Sequence, residues 1–346
     1  MANLQIAFRV DSSRDVGSGH VMRCLSLADF LAARGDSCAF LCRPAPGDLI
    51  GEIERHGHTV IRMFSLADAP AISEPDDARA TDEGLSRIGF DWLVVDHYGL
   101  GIEWERSVRR FAQNLLVIDD IGRDHECSLL LDQNLSNPMH GRYRRTLSEE
   151  QLLMGPQYAL LRAEFAASRA AALQRRAGVL GRFLVSMGGS DPSNATAKAL
   201  AGLESGWQHG WYVDVIVGGG NPNSKSIESI CSRLPAAKLH VQASNMAQLM
   251  SSADCAIGAG GSTTWERCCL ALPALVCTLS IDQISIATAV AQAGAQLLLG
   301  RDKEVTAGDF TREVSALTPD RLLAMSASAA KICDGLGASR VAERMQ

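Results

Sequence analysis

The chain has 346 residues, 47% of them apolar, with a mean hydropathy of +0.03, which excludes disorder over most of its length and leaves room for about two domains. Its 33 Lys and Arg against 39 Asp and Glu give a formal charge of −6, and only 5% of residues are aromatic. That balance excludes the broad basic face and the stacking platforms of a bulk nucleic-acid binder, but not a small anionic ligand held by local groups.

In chain order, Leu4–Val10 reads as a strand. His20–Arg34 reads as a helix, with Val21, Leu25, Ala28 and Ala32 on one face and Gly35 as its stop. Ser37–Cys42, Thr59–Met63, Trp92–Asp96, Leu115–Asp119 and Leu129–Leu131 continue as strands. They are almost wholly apolar, as parallel strands covered on both faces must be. The pattern restarts with Phe183–Met187, Val213–Val217, Leu239–Val241, Cys255–Gly258, Ala274–Thr278 and Gln296–Leu298. The Ala- and Arg-rich stretch Ala166–Gly181 between the halves reads as a helix plus linker. The expected domains are therefore 1–168 and 178–318, with a helical segment at 319–346. The expected architecture is α/β: two doubly wound, Rossmann-like parallel-sheet domains facing a cleft, with ligands at loops that follow strand ends.

The ten cysteines include no C-x-x-C pair and sit mostly among apolar neighbours, so they read as reduced core thiols. No apolar run reaches the ~18 residues of a membrane span. The first nine residues lack the basic-then-apolar shape of a signal peptide, so a cytoplasmic location and no membrane partner are expected. No His/Cys pairs at metal-ligand spacing and no Asp-x-Asp occur, so neither a metal nor a cofactor is expected.

Four loops carry candidate chemistry. The first, Asp11–His20, contains Gly17-Ser18-Gly19-His20 between a strand and a helix. Glycines there allow close backbone approach, and a helix start favours the neutral imidazole that can act as a general base. A capping or surface histidine is the plain alternative. The second, Asp96-His97-Tyr98-Gly99, follows a strand and reads either as a polar site or as a turn with an Asp cap. Asp119-Asp120 shares that ambiguity. Adjacent carboxylates on an extended chain point to opposite sides, which does not make an acid/base pair. The third, Ser186–Asn194, and the fourth, Gly258–Glu266, are Gly-rich strand-to-helix turns. Their N–H groups and hydroxyls suit a diphosphate, and a carboxylate beside the fourth suits sugar hydroxyls. A tight βα turn without a ligand explains the third equally well.

These stretches carry a resemblance. The Met187–Asn194 loop, residues 245–250, and Gly260–Glu266 followed by Leu272-Pro273-Ala274 resemble the nucleotide-binding half of GT-B glycosyltransferases of the MurG-like branch. Residues 8–13, Gly17–His20 with Arg23, Asp96–Gly99 and residues 158–165 are similar to the PseG-type family, the UDP-2,4-diacetamido-2,4,6-trideoxy-β-L-altropyranose hydrolases of pseudaminic acid biosynthesis. The resemblance spans about Ile6 to Gly294.

It implies a GT-B fold and release of UDP from a nucleotide-linked amino sugar, with His20 activating water. It also implies that Asp11, Gly19, Arg23, His97, Tyr98 and Arg162 meet the sugar. Gly188, Gly189, Ser190, Asn194, Met246, Gly261, Ser262, Thr263, Thr264, Asp282 and Gln283 would meet UDP, with Glu266 on the ribose and the backbone of 243–246 on uracil. Many relatives carry Asn-Gln where this chain has Asp282-Gln283, and an acid there repels a diphosphate. The partner implied is a small UDP-sugar, with no nucleic acid. A UDP-sugar-dependent inverting glycosyltransferase and a non-catalytic UDP-sugar binding protein remain alternatives, and oligomeric state is left open.

Overall fold

The computed structural model describes residues 3–14, 16–63, 73–86, 88–135, 140–143, 146–189 and 191–346. The chain forms two compact units. One comprises Met1–Ala163 and Leu336–Gln346, the other Glu164–Gly335.

Unit 1 holds a seven-stranded sheet of β1 (Gln5–Val10), β2 (Ser37–Cys42), β3 (Thr59–Arg62), β4 (Trp92–Asp96), β5 (Leu115–Ile118), β6 (Leu129–Asp132) and β7 (Leu152–Met154). The spatial order is 3-2-1-4-5-6-7 and every pairing is parallel. Its connecting helices are α1 (Gly19–Ala33), α2 (Ile50–Arg55), α3 (Glu74–Leu85), α4 (Ile102–Val108) and α5 (His140–Tyr143). The period of two along β1 sorts its side chains. Ile6, Phe8 and Val10 enter one core with Leu25, Leu27 and Leu31 of α1. Ala7 enters the other core with Trp104 of α4. Arg9 points to that second face and meets Asp77 of α3 instead of an apolar neighbour.

Unit 2 begins with α6 (Ala163–Arg175), its first residue at the boundary. It continues as β8 (Arg182–Ser186), α7 (Ala195–Ser205), β9 (Tyr212–Val217), α8 (Ser224–Cys231), β10 (Ala237–Val241), α9 (Met246–Ser252) and β11 (Cys255–Ala259). Then come α10 (Thr263–Cys269), β12 (Ala274–Thr278), α11 (Asp282–Gln292), β13 (Gln296–Arg301), α12 (Ala307–Ser315) and α13 (Pro319–Ile332). Its six parallel strands run 10-9-8-11-12-13. A separate core gathers Phe183, Val185, Val213, Ile257 and Leu275 from the sheet with Leu200, Leu203 and Phe310 from the helices.

The doubly wound parallel sheets are as expected, but the partition of the chain is not. The division falls at 163/164, ahead of the Ala166–Gly181 stretch. The 319–346 segment does not stand as one body: α13 belongs to unit 2, and α14 (Gly337–Arg344) belongs to unit 1. Ala338, Val341, Ala342 and Met345 complete the α1 core, and Trp92 Nε1 donates to the Met345 carbonyl at 2.7 Å. The strand β7 has no counterpart among the expected elements.

Candidate active site

Each sheet reverses its strand order once, between β1 and β4 in unit 1 and between β8 and β11 in unit 2. Ligands of open parallel sheets bind outside the carboxyl ends of strands at such a point. All four sequence-predicted loops leave from those strand ends.

In unit 1, His20 is the second residue of α1 and is 8% exposed. Its Nδ1 lies 2.6 Å from Asp96 Oδ1 at the end of β4. In the tautomer with its proton on Nδ1, that nitrogen donates to the carboxylate and Nε2 is left with a lone pair; Arg23 Nη2 stands 3.2 Å from the same Nδ1. Burial pushes the Asp96 carboxyl up, but the Arg23 guanidinium and His20 outweigh burial and hold it well below its usual range. Arg23 grips Asp96 through both oxygens, Nε to Oδ2 at 2.5 Å and Nη2 to Oδ1 at 2.6 Å. Its Nη1 donates to Asp120 Oδ2 at 2.9 Å. Tyr98 donates its hydroxyl to Asp120 Oδ1 at 2.8 Å and sets its ring edge-on against His20, with centroids 4.6 Å apart. Asp119 faces away, toward Arg123 and Tyr143, as alternation along an extended chain requires.

Asp11 and Arg23 are both held in buried ion pairs. Asp11 is 2% exposed. Its Oδ1 accepts from Arg9 Nη1 and the Arg43 backbone, and its Oδ2 accepts from Arg9 Nη2 and Arg43 Nε, at 2.7 to 2.9 Å. His97 Nε2 stands a further 3.4 Å from Oδ2. Gly99 N–H donates to His97 Nδ1 at 3.0 Å, so the His97 proton sits on Nε2, facing Asp11. Asp11 thus orients His97, and Arg23 orients His20 through Asp96. Gly19 faces open space, Tyr98 is 45% exposed, and Arg162 is half-buried one residue before α6. The amino-acid pattern alone reads Asp96 either as part of a polar site or as an Asp cap, without naming its partners, and assigns no role to Arg9 or Arg43. The available signal was a charge closing or interrupting an otherwise apolar buried strand.

In unit 2 the loop after β8 holds Gly188 at φ +84°, a left-handed conformation that favours glycine, and Gly188 and Gly189 both face open space. The start of α7 differs from the phosphate cradle expected there. Asp191 Oδ1 accepts from Ala195 N–H at 2.8 Å and Oδ2 from Thr196 N–H at 2.9 Å, so a carboxylate already holds those amides. Asn194 adopts φ 54° with its Oδ1 buried and without a hydrogen-bond partner among the described residues. Ser190 lies outside the described residues.

After β11, Gly260 and Gly261 pack beside Gln283, whose Oε1 accepts from Leu279 N–H at 3.0 Å. Ser262 is exposed, Thr263 half-buried and Thr264 buried at the start of α10, with Glu266 half-buried one turn on. Asp282 is exposed as the first residue of α11, and Met246, half-buried, opens α9. The structure thus brings the 258–264 turn and Gln283 together.

Residues 183–344 match the glycosyltransferase family 28 C-terminal domain. The UDP-2,4-diacetamido-2,4,6-trideoxy-beta-L-altropyranose hydrolase of Campylobacter jejuni is 24% identical over 300 residues, a match covering 85% of this chain and 98% of that protein. An uncharacterized protein of Methanocaldococcus jannaschii is 26% identical over 286 residues, covering 79% of this chain and 55% of that protein, so this chain spans about half its length. Among solved structures, MurG of Acinetobacter baumannii aligns with a TM-score of 0.73 at 12% identity, over 100% of this chain and 99% of that one. The fold is therefore of GT-B type, with similarity to family 28 in its second half and to a PseG-type hydrolase along most of its length.

Proposed function

We propose that the chain hydrolyses a UDP-linked 2,4-diacetamido-2,4,6-trideoxy sugar to free sugar and UDP, a step of pseudaminic acid formation that goes with a cytoplasmic location. The observation that carries this reading is the His20–Asp96 contact, a base and its orienting carboxylate at the strand-order reversal of unit 1. The similarity to the Campylobacter hydrolase, over nearly that protein's whole length, supports it.

Glycosidases ordinarily use two carboxyl groups, one of them to protonate the leaving oxygen. A nucleoside diphosphate is already a good leaving group, so charge stabilisation and one base on water suffice. That base contributes about 10²–10⁴-fold. Nε2 of His20 takes the water proton, Asp96 stabilises the imidazolium that forms, and direct attack inverts the anomeric carbon. Unit 2 supplies the UDP contacts: Gly188, Gly189, Asn194, Met246, Gly261, Ser262, Thr263, Thr264 and Gln283, with Glu266 on the ribose.

The family 28 match and the MurG-like fold favour a second reading, an inverting transfer of the sugar to an acceptor hydroxyl. One experiment separates the two. UDP-linked 2,4-diacetamido sugars are incubated with the full chain without acceptor, while UDP release and the first-formed anomer are followed by NMR. Acceptor-independent release with inversion is expected. Release only on adding an acceptor would establish the transferase instead.

A further inference from the structure

Unit 2 buries a guanidinium that has no counter-charge in hydrogen-bond contact. Arg267, in α10, is 3% exposed. Its hydrogen bonds among the described residues go to neutral oxygens. Nη2 donates to the Ala259 carbonyl and to Thr264 Oγ1, both at 3.0 Å, and Nη1 donates to Thr263 Oγ1 at 3.2 Å. Its Nε has no hydrogen-bond partner among the described residues. Burial lowers its pKa below the usual arginine range, and the neighbouring Cys268 and Glu266 only partly offset that.

The other buried arginines among the described residues, Arg9, Arg23 and Arg43, each pair with a carboxylate. Arg9 lies between Asp11 and Asp77, and Arg23 between Asp96 and Asp120. Arg169 also donates to carbonyls, but those of Cys269, Ala330 and Cys333, where α10 and α13 end and partial negative charge collects. Arg267 instead reaches back to the end of β11 and to the first two residues of its own helix. A buried cation there is costly unless an anion joins it. The end of β11 approaches it closely: a Cβ added to Gly258 would stand 3.2 Å from Arg267 Nη1. The other Gly-rich turn has the opposite electrostatics, because the Asp191 carboxylate occupies the first amides of α7.

We propose that Arg267 is the positioning residue that makes residues 259–264 the diphosphate site, and that the nucleotide's diphosphate is the counter-ion this guanidinium lacks. The inference rests on the nucleotide-sugar reading above. Arg267 acts without touching the ligand. Its charge is felt strongly because it is buried. Because the half-buried Thr263 oxygen accepts from it, that hydroxyl keeps its own proton to donate to a ligand oxygen, while buried Thr264 fixes the guanidinium.

The test is calorimetric titration of the full chain with UDP and, separately, with uridine, in wild type, Arg267→Met and Arg267→Lys. Arg267→Met is expected to weaken UDP at least ~30-fold and uridine less than ~3-fold, with Arg267→Lys recovering part of the UDP affinity. Equal losses for both ligands, or none, would overturn the proposal. If Arg267→Met does not fold, Thr263→Val takes its place, with UDP expected to weaken about fivefold and uridine to stay unchanged. Equal losses with that variant would likewise overturn the proposal. Wild type that binds UDP more tightly than uridine but releases no UDP from the sugar substrate refutes the hydrolase reading alone. Wild type that binds neither ligand overturns both.

Discussion

At the scale of the residue, the candidate chemistry reduces to how His20 is held. A histidine at a helix start is legible in a sequence; the partner that selects its tautomer is not, because Asp96 stands 76 residues away. Asp96 itself is visible as the charge that ends an apolar strand, but pairing it with Arg23 and His20 takes the β1–β4 neighbourhood. The same holds for Asp11: the resemblance implies a sugar contact for it, and only the fold brings Arg9 and Arg43 onto its oxygens. Two substitutions separate base from orienter. His20→Ala should lower kcat at least ~100-fold with UDP affinity unchanged. Asp96→Asn should lower kcat comparably by misplacing the ring proton, and should cost about 3 kcal/mol of stability because Arg23 loses a buried counter-charge. Steady-state kinetics alongside thermal melting checks both, and full kcat in either variant would remove that residue from the mechanism.

At the scale of the element, twelve of the thirteen strands among the described residues are legible as apolar runs, because a parallel strand covered on both faces admits little else. What escapes is whatever a period cannot show. The chain around α6 reads as a helix plus linker, yet in the structure it is a clamp. Arg176, just past the end of α6, donates to the carbonyls of Met250, Ala253 and Leu270, where α9 and α10 end. Burial lowers its pKa to about 10, so it remains charged at neutral pH. Arginine composition alone looks like a solvated surface; only the packing turns these side chains onto helix ends. Arg176→Met keeps the aliphatic stem and leaves those carbonyls without their donor. A loss of about 1–3 kcal/mol is expected in denaturant unfolding of unit 2, with UDP affinity intact. A variant as stable as wild type would mean that solvent replaces the clamp without cost.

At the scale of the whole molecule, the charge of −6 is a poor guide to where electrostatics matter. Each unit has its own core, and unit 1 buries a cluster that titrates near neutrality. His125 sets Nδ1 2.5 Å from Glu105 and Nε2 3.5 Å from Asp119. Burial opposes its charge, but those two carboxylates outweigh burial and raise its pKa to about 9 from 6.5. A raised folded pKa means that the stabilisation is complete below the unfolded value of 6.5 and disappears as pH rises through about 9. Asp132 works in the same direction. Burial pushes its carboxyl to about 7, with the charges of Asp120 and Asp119 adding to that push and the Asn134 N–H opposing it, so its ionisation from 3.8 upward penalises the folded state. From pH 6.5 to 8 the His125 contribution alone should fall by about 1–2 kcal/mol. Hydrogen exchange at the β5 and β6 amides reports this locally, with the β8 and β11 amides as the control. The β5 and β6 amides should lose protection over that interval in wild type, and His125→Gln should flatten the loss. If the variant loses as much protection as wild type between the two pH values, the neutral-pH sensitivity of unit 1 does not originate at His125.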